Sequence, residues 1–265
     1  MESKLIHELL SLSHLVSDIR SFEAYSFNNE ARSHKFFADG LVGLMFYVSD
    51  SKVLFNEKEP SKLLLYGQTV KPLEIVYTTN FSSVIFYFQP YAIKYLFGID
   101  ARQLTDTCID FDIIDKKLRL DLINTDQTEE RIKIVAHYLL RAEQTVTKQP
   151  DRRITYATDR IQRESGNISL LDLRKQIHIT ERTFERQFLQ HVGVTPGTFS
   201  KICRFSNALK QLHRRNFSNL TDLAYSTGYA DQSHFIHHFK EFTSMTPTQY
   251  ISQLPLSNSL SYAGA

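Results

Sequence analysis

Residues 228–250 read GYADQSHFIHHFKEFTSMTPTQY, and their pattern decides the fold of the C-terminal part. Gly228 marks a tight turn and Asp231 is a good helix N-cap. Phe235 and Phe239 recur at the four-residue spacing that stacks side chains on one helix face. Thr246-Pro247 then opens another helix, because proline suits the first turn. The same plan stands earlier, in residues 180–199, TERTFERQFLQHVGVTPGTF. Leu170, Leu173 and His178 align with Leu220, Leu223 and Gly228 at an offset of 50. Phe184, Phe188, Thr195, Pro196 and Phe199 align with Phe235, Phe239, Thr246, Pro247 and Tyr250 at an offset of 51, so the second turn has one extra residue. Ser169 and Asn219 are N-caps for a short helix in each copy, and Thr180 caps the longer helix of the first. Short helix, tight turn and longer helix make a helix-turn-helix unit. Two such units are expected, joined by a helix over about 198–212.

The phenylalanine face of each longer helix must bury against the short helix, which leaves the opposite face for a DNA groove. In the first copy that face carries Arg182, Glu185 and Arg186, with the two arginines stacked four apart. Arginine can bond guanine in bidentate fashion and glutamate can accept from cytosine. In the second copy Ser233 and His237 hold the equivalent places, with Gln232 and His234 alongside. Lys201, Arg204, Lys210, Arg214, Arg215 and Lys240 are candidates for phosphate contacts, which position without specifying. Two units on one joining helix could set both reading helices in successive major grooves, ~34 Å apart. A metal reading of His234, His237 and His238 fails on ligand count, since no carboxylate or cysteine completes the set at an obvious spacing.

At these residues the chain resembles the AraC/XylS family of bacterial transcription regulators. The second copy matches through Gly228-Tyr229, Ser233-His234-Phe235, Phe239-Lys240 and Thr246-Pro247. The first matches through Arg182, Phe184, Arg186-Gln187-Phe188, Gly193 and Pro196. Phe86-Tyr87-Phe88-Gln89-Pro90 and Phe97-Gly98 are similar to the β-rich N-terminal domains of some AraC-type regulators. The resemblance implies a sequence-specific DNA-binding regulator. Three positions depart from it. His237 stands where the family usually has arginine, His178 replaces the turn glycine, and Arg174 replaces a small buried residue.

The pattern changes at Pro150–Asp151, so residues 1–150 and 151–265 are expected to be separate domains. The first half is rich in short β-branched and aromatic runs: Leu41–Val48, Lys52–Phe55, Lys62–Tyr66, Leu73–Thr78 and Val84–Phe88. Helical patterns follow at Tyr91–Phe97 and Glu129–Lys148, the latter with a stripe of Ile132, Val135, Ala136, Leu139 and Leu140 that packs inward or against a second subunit. The expected class is α+β: a β-rich barrel or sandwich with helices, then an all-α double helix-turn-helix domain. Residues 151–265 hold 14 Lys/Arg against nine Asp/Glu, a net +5, and residues 1–150 hold 17 against 20, a net −3. A basic module on a mildly acidic one points to a polyanion as partner.

No apolar run approaches the ~18 residues of a membrane span, and the polar opening MESKLIHELL lacks a signal-peptide core. Two distant cysteines, Cys108 and Cys203, fit a reducing cytoplasm. No metal or cofactor motif is present: His7, His14, His34 and His137 form no H-x-H pair with a following glutamate, and no nucleophile elbow or phosphate loop occurs. The expected partner is double-stranded operator DNA, with RNA polymerase added if the regulator is an activator. A homodimer and a small-molecule effector, enclosed by aromatics such as Phe46, Tyr47, Tyr66, Tyr77, Phe86 and Phe88, stay open. The alternative function is a helical protein-interaction module that has lost DNA binding.

Overall fold

The computed structural model describes residues 9–24, 31–215 and 217–254; His7 and the tail beyond 254 lie outside the described residues. The described residues of the first half form eight strands: β1 (Val16–Ala24), β2 (Arg32–Phe36), β3 (Val42–Ser49), β4 (Leu54–Phe55), β5 (Leu63–Tyr66), β6 (Leu73–Tyr77), β7 (Phe81–Phe88) and β8 (Cys108–Asp110). They pair antiparallel in two sheets, ordered β1-β7-β3-β5-β8 and β2-β6-β4. No ladder joins the two sheets among the described residues, so this is an open sandwich and not a closed barrel.

Strands β3 and β7 read as unbroken apolar runs because both of their faces are covered. Leu44, Phe46, Val84 and Phe86 face a helical layer, whereas Met45, Tyr47, Ile85 and Tyr87 belong to the core between the sheets. The aromatics considered as a ligand cage therefore divide. Phe46, Phe86 and Phe88 lie on the first face, and Tyr47, Tyr66 and Tyr77 on the second, so they share no cavity.

The helical layer consists of α1 (Ala92–Phe97), α2 (Asp112–Ile123) and α3 (Thr128–Thr145). Gly98 ends α1 in the left-handed conformation, φ 69°. On α3, Val135, Ala136 and Leu139 are buried on the sheet and Ile132 and Leu140 pack beside them, so the stripe turns inward. A short 3₁₀ turn, Ala101–Leu104, follows α1.

Among the described residues seven helices follow: α4 (Arg152–Arg163), α5 (Leu170–Gln176), α6 (Glu181–Val192), α7 (Pro196–His213), α8 (Leu220–Ser226), α9 (Gln232–Thr243) and α10 (Pro247–Gln253). The sequence reason for each start is visible in the cap. Ser169, Thr180, Asn219 and Asp231 each accept a hydrogen bond from the backbone N–H three residues on. Thr195 and Thr246 do the same ahead of Pro196 and Pro247. The joining helix α7 is longer at both ends than expected. Its Phe199 and Phe205 share one core with Phe184 and Phe188 from the first unit and Phe235, Phe239 and Phe242 from the second. Each fully buried phenylalanine contributes roughly 1.5–3 kcal/mol.

The two halves of the chain touch. Ala38 is fully buried in the helical core, and a Cβ on Gly40 would stand 3.6 Å from Phe199 and from Ile202. Phe37 meets Tyr250 edge to face at 5.6 Å.

Candidate nucleic-acid interface

Helix α6 is capped by Thr180, and its four-residue spacing turns Phe184 and Phe188 into the core. The opposite face then carries Arg182, Glu185 and Arg186, all exposed. No side-chain hydrogen bond or ion pair holds any of the three among the described residues. Two guanidiniums and one carboxylate thus stand free on one helical face. The turn before α6 places His178 at φ 53°, the left-handed conformation expected where a glycine is usual. Arg174 neither packs inward nor points to open solvent: its Nη1 pairs with Glu181 at 2.9 Å, tying α5 to the start of α6.

Helix α9 has the same frame with different groups outside. Phe235, Phe239 and Phe242 are buried, and Ser233, His237 and Lys240 are exposed. Gln232 is half-buried, and its Oε1 accepts from Thr221 Oγ1 at 2.8 Å, so it braces α8 against α9. His234 is half-buried too, with its ring 5.5 Å from Tyr229 and 4.3 Å from His238. His238 is only 5% exposed, packs edge to face on Tyr229, and its Nδ1 has no hydrogen-bond partner. Burial, and then the charges of His234, Lys201, Arg204 and His237, push its pKa down to about 4. No three histidine, cysteine or carboxylate groups come together as metal ligands among the described residues.

The candidate phosphate contacts also separate. Lys210, Arg214, Arg215 and Lys240 are exposed, and Lys201 is half-buried. Arg204 turns inward: its Nη2 donates to the Gly166 carbonyl at 3.1 Å and its guanidinium lies over the Tyr229 ring at 5.6 Å. That corrects the outward placement which the sequence pattern favours for this side chain. Sequence reading also missed Asn167, whose Nδ2 donates to the Thr227 carbonyl at 3.3 Å. No periodic signal could reveal that contact, because it joins positions 60 apart.

The first unit is additionally tied to the N-terminal half. Thr105 Oγ1 donates to the Gly193 carbonyl at 2.6 Å, just past the C-terminus of α6. Gly193 has φ 97°, and a Cβ there would stand 2.9 Å from the Ala101 carbonyl, so only glycine fits.

Residues 173–253 match a helix-turn-helix domain family, and residues 7–110 match a domain of unknown function (DUF6597). An uncharacterized HTH-type transcriptional regulator of Haemophilus influenzae is 29% identical over 107 residues, 40% of this chain and 36% of that protein. The HTH-type transcriptional activator RhaS of Escherichia coli is 33% identical over 73 residues, 28% of this chain and 26% of RhaS. The chain therefore spans only about a quarter to a third of the length of these relatives. Among solved structures, ToxT of Vibrio cholerae O395 aligns with a TM-score of 0.49 at 13% identity, over 92% of this chain and 100% of that one. With two helix-turn-helix units on one shared helix, in the stretch that matches these regulators, the C-terminal part of the chain is an AraC-type helix-turn-helix domain.

Proposed function

We propose that the protein binds operator DNA sequence-specifically, with α6 and α9 as reading helices in successive major grooves. The observation that carries this reading is the exposed, unpaired pair Arg182 and Arg186 on a helix whose other face is core. On this reading Arg182, Glu185 and Arg186 contact bases from the first unit. Ser233 and His237, flanked by Gln232 and His234, do so from the second, with fewer charged groups. Lys201, Lys210, Arg214, Arg215 and Lys240 contact phosphates and set the salt dependence. Residues 1–150 form a separate unit that modulates binding through its contacts with α6 and α7. The partner on this reading is double-stranded operator DNA, joined by RNA polymerase if the protein is an activator.

A mobility shift of the full chain, on duplexes selected by it from a random pool, tests the reading. Affinity is expected to fall steeply with salt, by a slope of ~0.9 per phosphate contact. Failure to enrich any sequence, with the chain folded, would leave the helical part as a protein-interaction module.

A further inference from the structure

The two reading helices are attached to α7 by an oily core, and such a core resists separation better than it resists small rotations. Besides the bonds from α7 to the second unit, His213–Tyr250 at 2.6 Å and Ser226–Gln211 at 3.4 Å, directional polar contacts reach from one unit toward the other at one place among the described residues. There the loop ahead of the first unit meets the turn of the second. Ser165 and Gly166 are both left-handed, φ 48° and 76°, which brings the loop down onto α7. A Cβ on Gly166 would collide with the Ser200 carbonyl, so backbone rests on backbone. One turn along α7, Arg204 donates to the Gly166 carbonyl and covers the ring of Tyr229, the residue that follows the Gly228 turn. Asn167, the next residue of the loop, donates to the Thr227 carbonyl. Gly228, φ 82°, has no room for a Cβ because the Asn167 amide occupies that space. Three segments of chain are thus pinned by two side chains, Asn167 and Arg204.

Resting on the reading of α6 and α9 as DNA-reading helices, we infer that Arg204 and Asn167 set the angle between the two units and thereby the half-site spacing that the protein accepts. They are positioning residues and not DNA contacts. The lever arm makes the point quantitative. A rotation of ~10° about a hinge ~17 Å away, half the groove repeat, moves a helix by ~3 Å. That is close to the ~3.4 Å rise of one base pair. A small relaxation of this junction is therefore enough to blur spacing by one step.

The experiment takes duplexes selected by the wild-type full chain and inserts or deletes one base pair between the half-sites. Wild type is expected to lose about tenfold or more at each altered spacing, in line with the cost of a mispositioned base contact. Arg204→Met keeps the packed stem but removes the donors, and Asn167→Ala removes the amide of an exposed residue. Both should bind the selected spacing several-fold more weakly, lose little further at the altered spacings, and bind an isolated half-site as wild type does. Two results overturn the inference: an undiminished spacing preference in both variants, or for Arg204→Met an equal loss at every spacing with a salt slope lower by about one, the mark of a phosphate contact. Wild-type chain that selects no duplex removes the underlying reading instead, so the two failures are distinguishable.

Discussion

The two helix-turn-helix units are built alike and equipped differently. In each, a capped short helix, a left-handed turn and a second helix bury phenylalanines against α7. Outside, α6 shows Arg182, Glu185 and Arg186, whereas α9 shows Ser233 and His237. Position 187 and its counterpart 238 face the same interior, yet one is a half-buried glutamine and the other a buried histidine. Their attachments differ as well. The end of α6 is held by Thr105 from the N-terminal half, whereas the turn before α9 is held by Asn167 and Arg204 from within the helical part. Duplication has preserved what shapes the scaffold and released what faces outward. The residues that fold a unit and those that read with it are separable, because they occupy opposite faces of one helix.

The largest expected effect tests the shared scaffold. Phe188→Ala and Phe239→Ala each remove a fully buried ring and should destabilise the chain by ~3–5 kcal/mol in urea unfolding. The two losses should agree within about 1 kcal/mol on that range. A twofold disparity would mean that the units are not equivalent scaffolds.

Next comes the difference in readout. Arg186→Ala should cost ~1–3 kcal/mol of operator affinity and relax preference at one base position. His237→Ala, which removes a side chain with fewer donors, should cost less than ~1 kcal/mol by the same reasoning. Titration of both variants on one selected duplex ranks them, and a larger loss for His237→Ala would reverse the assignment of the stronger reading helix.

A third difference is the response to acid. With the folded pKa of His238 near 4 against an ordinary 6.5, the ring stays neutral in the folded protein while the unfolded chain takes up a proton. Stability from this group is complete above pH ~6.5 and is lost as pH falls toward 4, amounting to about 1 kcal/mol between pH 7.5 and 5.5. Burial also lowers His34, His191 and His213, which adds slope in the same direction. Asp39 opposes them. Burial raises it to about 6, so its neutral form favours the folded state as pH falls. His238→Gln copies the first unit's residue into the second and should shrink the stability difference between pH 7.5 and 5.5. An unchanged difference would place the acid sensitivity elsewhere.

The smallest effect concerns attachment. Thr105→Val deletes the hydroxyl bonded to Gly193 and should cost ~0.5–1.5 kcal/mol. Amide hydrogen exchange should quicken at the end of α6 and not in α9; equal quickening in both would show that the N-terminal half supports the helical part as a whole.

Much of the C-terminal part is legible without the structure, because its signals act over four residues or fewer. Capping side chains, proline at the first turn and phenylalanine every fourth position name the helix starts and the buried faces, and so leave Arg182, Glu185 and Arg186 outside. The N-terminal part is less legible. Strands β1 (VSDIRSFEA) and β2 (RSHKF) carry too many polar residues to read as strands; β1 and β2 are both edge strands, each paired on one side only. Helix α2 leaves Ile113, Leu120 and Ile123 exposed, which blurs its buried stripe. The duplicated unit, the ends of its helices and the face each turns outward all follow from neighbouring residues. Contacts between distant segments set that Arg204 turns inward, that Arg174 pairs with Glu181, that the α3 stripe covers the sheet and that Asp39 lies half-buried near α7. Those outcomes depend on partners distant in the chain, and no local pattern encodes which distant surface a side chain will meet.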